Sequence, residues 1–345
     1  MLWSKTAGAG GAGGGSVSPT VAYVTSSIAD SITAIDISDP ANMSQIGSFT
    51  SVSLDFARSV ALDLTNSVAY VACQTSDNIV SIDISDPANM TQLDSFTSVS
   101  LDSALGIALD LTNSVAYVTS PVADSITAID ISDPTNMTQL GSFTSASLDG
   151  SFSIALDVVN SVAYVASRDS DSIIAIDISD PTNMTQLDSF TSASLDAPYG
   201  VDLDLTNNVA YAVFSNSAHI VSIDISDPSN MSQIGSFTSA DLGGAYQVTL
   251  DLTNNVAYVA SFTGDRIVSI DISNPSNMAQ LDSLGSTVFN GAAIVTLDLT
   301  NSVAYVAGFL SDAIVSIDIS NPSNMVQLDS FTSVSLNGPY GIALA

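Results

Sequence analysis

Ile35-Asp36-Ile37-Ser38-Asp39-Pro40 recurs at residues 82–87, 129–134, 176–181 and 223–228, and with asparagine for the second aspartate at 270–275 and 317–322. Each copy lies 47 residues after the last, and Tyr23, Tyr70, Tyr117, Tyr164, Tyr211, Tyr258 and Tyr305 keep the same spacing. A period of this size marks a solenoid, a propeller or an array. The second unit carries four strand signals, at 59–63 (SVALD), 68–73 (VAYVAC), 78–85 (NIVSIDIS) and 90–98 (MTQLDSFTS). Turn clusters rich in Asp, Asn, Pro and Ser separate them. No window has helical periodicity. Four strands per unit of about 40–50 residues is the signature of one propeller blade.

Seven units of 47 residues account for the whole 345-residue chain except residues 1–16. The array starts just before the Tyr23 strand and ends on Gly341-Ile342-Ala343-Leu344, which matches residues 106–109. The last strand is therefore an inner strand whose partners are the first strands of the chain. The expectation is an all-β, seven-bladed β-propeller, with four antiparallel strands per blade, closed by the C-terminal strand joining the N-terminal blade. Residues 1–16 form a Gly/Ala-rich flexible arm, and residues 17–345 form one domain. An open solenoid would need atypical polar caps, and the end units have none.

Composition narrows the partners. The 35 acidic residues are all aspartate, against four lysines and arginines, giving a net charge of −31. Phosphate backbones need a basic surface, so nucleic acid is not expected as a partner. No apolar run is long enough for a membrane helix, and no membrane insertion is expected. Self-repulsion predicts that salt stabilises the chain. The single Cys73 excludes an intrachain disulfide. Asn42, Asn89, Asn136, Asn183 and Asn230 stand in glycosylation sequons, which a repeated turn sequence also produces by chance. Aspartates beside turns cap backbone N–H groups. They make no calcium loop of the kind that gathers six to eight oxygens, so weak cation binding is the most expected of them. No cofactor or metal site is expected.

The units resemble two related propeller repeats of microbial surface proteins. Residues 22–25 (AYVT) and 116–119 (AYVT) are similar to the YVTN repeat, and residues 79–87 (IVSIDISDP) resemble the LVIVD repeat. The resemblance covers residues 17–345. It implies a seven-bladed propeller displayed at an extracellular, cell or virion surface, and it implies no activity.

Comparing the units with one another locates the candidate site. The Asp-Leu-Thr-Asn and Asp-Pro-x-Asn-Met turns hardly vary and share one face of the disc. The opposite face carries the varied loops, with Arg58, Arg168, His219 and Arg266. One position just before each inner strand reads Arg58, Leu105, Phe152, Tyr199, Tyr246, Ala293 and Tyr340, and it should surround the channel mouth. These aromatics either stack on a ligand or pack on one another as a plug. With no Glu and one His, the sequence offers no catalytic pair. The expected function is a non-enzymatic propeller binding a protein or glycan through this face. The alternative is a structural subunit of a filament, surface layer or virion, self-associating as a homo-oligomer through Leu2 and Trp3 of the arm. The outer strands are expected to resist edge pairing through Asp94, Asp188, Asp282 and Asp329.

Overall fold

A computed structural model describes residues 19–192 and 196–345. Seven four-stranded antiparallel sheets follow one another around a ring. Blade 2 shows the pattern: strands Ala57–Asp63, Val68–Cys73, Asn78–Asp83 and Thr91–Thr97, from the channel outward. Blades 3 to 7 repeat it over residues 107–144, 151–191, 198–238, 245–285 and 292–332. Blade 1 is made from both chain ends. Its inner strand is Pro339–Leu344, paired to Val21–Ser26 in the register Ala22↔Leu344, Tyr23↔Ala343 and Val24↔Ile342. The ring closes as the offset ends of the sequence predict. The arm, with Leu2 and Trp3, lies outside the described residues.

Both faces of each sheet are covered by neighbouring blades. The second strands are therefore buried on both faces, with near-continuous apolar runs instead of alternation. All seven repeat tyrosines are at most 1% exposed. Tyr23 sends its hydroxyl to the carbonyl of Ile84 in blade 2, 3.3 Å away, and Tyr70 and Tyr117 reach Ile131 and Ile178 in the same way. Each tyrosine ring thus fills one joint, and where these bonds form its polar tip is satisfied across that joint.

An inner strand has no strand beside it on the channel side, so its backbone groups there need other partners. Side chains of the second strand and of adjacent blades supply them. Thr25 Oγ1 accepts from Gly341 N and donates to Arg58 O at 2.7 Å. Ser59 Oγ donates to Leu105 O, and Ser153 Oγ accepts from Val201 N. Buried Asp202 accepts from Leu250 N at 3.0 Å, and Gln247 Oε1 accepts from Val295 N at 2.8 Å.

The outer strands correct one expectation. Asp94, Asp188, Asp282 and Asp329 do not guard an open edge. Each accepts from a backbone N–H in the next blade's turn: Met137, Met231, Met325 and Met43 respectively, at 2.7–2.9 Å. An acceptor aimed at an unpaired N–H turns inward along the joint. The edge is instead broken by a β-bulge in each outer strand, such as the register shift between Ala34 and Ile35.

Candidate functional site

The invariant turn face is occupied with holding itself together. Asp63 Oδ1 accepts from Thr65 N and Asn66 N, while Asn66 Nδ2 donates to Asp63 Oδ2 at 2.7 Å. The same closure recurs at Asp110, Asp157, Asp204, Asp251 and Asp298. In the other turn, Asp83 accepts from the Ser85 backbone N–H at 2.8 Å. Hydrogen bonds from the Ser85 side chain and then its backbone hold the Asp83 carboxyl below its ordinary range. Asn89, a sequon residue, donates its amide to Asp86. A groove of about 440 Å³ between blades 4 and 5 opens on this face. Asn160, Asp177, Leu187, Asn208 and Asp227 line it. All are repeat positions also present at other joints, so nothing in them distinguishes a ligand.

The opposite face breaks the seven-fold pattern at the channel mouth. Phe152, Tyr199, Tyr246 and Tyr340 meet there across four blades. Phe152 and Tyr199 have ring centroids 4.6 Å apart, Tyr199 and Tyr246 4.7 Å, and Tyr246 and Tyr340 5.9 Å. The Tyr340 hydroxyl donates to the Tyr246 hydroxyl at 2.5 Å. Leu105 and Ala293, at the same repeat position, are buried in this cluster. The rings pack on one another and fill the mouth. Tyr199 and Tyr246 remain half-buried, so the plug presents an aromatic surface to solvent.

Two further rings belong to the site and were not picked out from the sequence. Phe262 lies 5.4 Å from Tyr246, and Phe309 6.2 Å from Tyr340. Both occur at the start of the loop between the second and third strands, the position of Gln74 and Arg168 in blades 2 and 4. Lining up that position as residues 27, 74, 121, 168, 215, 262 and 309 would have found them. The mouth is built from two rings of positions, and Phe309 stands beside the small Ala293 of its own blade.

Guanidinium groups flank the aromatic surface. Arg58 lies over the Tyr340 ring at 4.3 Å and the Phe56 ring at 4.5 Å. Its Nε donates to Gln74 Oε1 at 2.7 Å, and Gln74 Nε2 donates to Ser103 Oγ. Arg168 sits 6.0 Å from the Tyr199 ring and is paired to Asp169 through two 2.7 Å bonds. Burial pushes the Tyr246 hydroxyl up to about 12, against the lowering pull of Tyr340, Arg58 and Arg168. Burial raises Tyr340 well above its ordinary value. Both hydroxyls are neutral at pH 7.

His219 and Arg266 are not brought to the mouth. Each opens the third strand of its blade, further from the channel. His219 Nδ1 contacts Ser217 O at 2.6 Å. Arg266 is tied to Asp241 and to the carbonyl of Gly264. Among the described residues no cluster of three or more His, Cys, Asp or Glu side chains is arranged to hold a metal ion.

The family model described as the LVIVD repeat matches seven times, at residues 10–51, 63–98, 116–145, 156–192, 201–239, 249–284 and 302–333. The chain belongs to the LVIVD repeat family. Comparison with curated protein sequences gives no match. Solved structures similar to this LVIVD chain include a protein from Lactobacillus plantarum, with 14% identity, TM-score 0.81, and 95% of this chain and 100% of that one covered. The periplasmic gluconolactonase of Pseudomonas aeruginosa has 10% identity and TM-score 0.80, covering 94% and 98%. A Bacteroides uniformis protein assigned as a 6-phosphogluconolactonase has 8% identity and TM-score 0.81, covering 94% and 99%.

Two of these neighbours are named as lactonases, enzymes on the same fold, and they stand against the expectation of a non-enzymatic propeller. The argument against an enzyme rested on the absence of a catalytic pair readable along the sequence. In a propeller, each blade sends one or two side chains to the mouth, so the groups that meet are dozens of residues apart. Sequence-local motifs are the wrong test for this fold.

Proposed function

We propose that the protein binds a sugar-derived lactone on the aromatic surface of the channel mouth and hydrolyses it there. One observation carries the reading. Rings from several blades form a continuous surface, flanked by two arginines, around a pair of neutral tyrosine hydroxyls. Aromatic faces stack on the apolar face of a sugar ring. Tyr340 donates to Tyr246, which leaves the Tyr246 hydrogen to donate outward. Such a donor stabilises negative charge developing on a carbonyl oxygen. Water adds to the lactone carbonyl carbon, the ring C–O bond breaks, and the ring oxygen leaves as a hydroxyl carrying one of the water protons. The product is an open-chain carboxylate, and the second water proton is released to solvent. The lactonase neighbours lend the reaction class, and the mouth chemistry lends the place.

Acid release from gluconolactone at constant pH tests it. Intact protein is expected to exceed the spontaneous rate, and Tyr246→Phe to lose about a hundredfold or more of the acceleration. No acceleration over heat-denatured protein would sink the reading.

A further inference from the structure

Three arginines belong to the described residues, and they are not held alike. Arg168 is neutralised by Asp169, and Arg266 by Asp241. Arg58 is held through Nε by a neutral amide, Gln74, which is itself anchored by Ser103. The two terminal amino groups of Arg58 make no hydrogen bond among the described residues. In a chain with 35 carboxylates, the one arginine without a carboxylate partner lies over the Tyr340 ring at the mouth. Phe56 and Tyr340 cover it on their ring faces, which removes water from its sides and strengthens any charge it meets. The fork left open is the one that matches two oxygens of a carboxylate or phosphate.

We propose that Arg58 is an anion subsite, so that the ligand taken at the mouth carries a carboxylate or phosphate group, with Gln74 as the residue that positions the guanidinium. This rests on the mouth being the ligand site and adds the charge of the ligand to it. Gln74 serves here because it orients Arg58 without cancelling its charge. A carboxylate at the same place would orient it equally well and compete with the ligand.

Binding to the full-length protein, followed by calorimetry, separates the possibilities. Gluconate, glucose 6-phosphate and the neutral methyl glucoside serve as probes, none of which the protein can hydrolyse as a lactone. The wild type is expected to bind at least one anionic probe about tenfold or more tightly than the neutral one. Preference between gluconate and glucose 6-phosphate tells carboxylate from phosphate. Gln74→Glu is expected to erase the anion preference while leaving methyl glucoside binding and the melting temperature unchanged. Gln74→Leu is expected to weaken anion binding less, because the charge remains and only its orientation is lost. Equal binding of anionic and neutral probes, no binding of the anions, or an unaffected Gln74→Glu variant would each overturn the proposal. Failure of lactone turnover with intact anion preference would sink the hydrolase reading and leave the subsite standing.

Discussion

Three of the seven joints between blades are closed on glycine and four on aspartate. Gly47, Gly141 and Gly235 face the Pro-containing turn of the next blade. A Cβ on Gly141 or Gly235 would sit 2.5 Å from the carbonyl oxygen of Pro181 or Pro275. At the identical repeat position Asp94, Asp188, Asp282 and Asp329 reach a turn N–H. One solution yields space to the neighbouring backbone, and the other satisfies a polar group of it. Blades 1 to 6 alternate strictly between the two, and blade 7 repeats aspartate, since a ring of odd number cannot alternate throughout. Joint type therefore repeats every two blades over blades 1 to 6, within a chain whose sequence period is a single blade.

The most severe break is inside blade 1, where the two chain ends pair. Deleting Gly338–Ala345 removes the inner strand of blade 1 and leaves Val21–Ser26 with an unpaired edge. Loss of the cooperative melting transition, with concentration-dependent aggregation, is the expected outcome in calorimetry and light scattering. A truncated chain that melts like the intact one would show that pairing of Leu344 with Ala22 does not hold the ring.

Interconverting the joints comes next. Gly141→Asp should not create an aspartate joint, because the Pro181 carbonyl already occupies the Cβ position. The cost of this overpacking is about 1–3 kcal/mol, read from the denaturant midpoint. Asp94→Ala should cost about 1–3 kcal/mol by leaving the Met137 N–H without its acceptor. Asp94→Asn retains an oxygen and should cost less. Equal effects of Ala and Asn would mean that packing rather than hydrogen bonding matters at this joint.

The same comparison explains what was readable in advance. Strand order, blade number and ring closure followed from the 47-residue period, because burial of both sheet faces imposes the same residues on every blade. The Gly/Asp alternation was visible as letters, but its meaning was not. Asp94 looks like edge protection until the turn of the next blade is placed beside it. The mouth was legible in part. Tyr199, Tyr246 and Tyr340 were found by comparing equivalent positions, whereas Phe262 and Phe309 lie at another position and converge only in three dimensions. His219 and Arg266 share the face of Arg58 and Arg168 but start third strands, one strand further from the channel. Distance from the axis is not encoded in face.

The smallest expected effect lies where the glycine joint of blades 3 and 4 reaches the mouth face. Asp124 sits there with φ of 48°. Its carboxyl is raised above its ordinary value, first by burial and then by Asp149 and Asp169. A carboxyl whose folded value is raised opposes folding when ionised. That penalty is present at neutral pH and disappears as pH falls through the folded value toward the unfolded one, near 4. An asparagine side chain in its place would remove the charge while tolerating the left-handed backbone, which Asn adopts more readily than most residues. Asp124→Asn should therefore raise the melting temperature by about a degree at pH 7. The gain should vanish below about pH 4, where the wild-type carboxyl is itself neutral. Salt should shrink it as well, since the Asp149 and Asp169 contributions act near the surface. A gain that persists at low pH would assign the effect to the amide's hydrogen bonds, and a loss at pH 7 would show that the ionised carboxylate holds this joint.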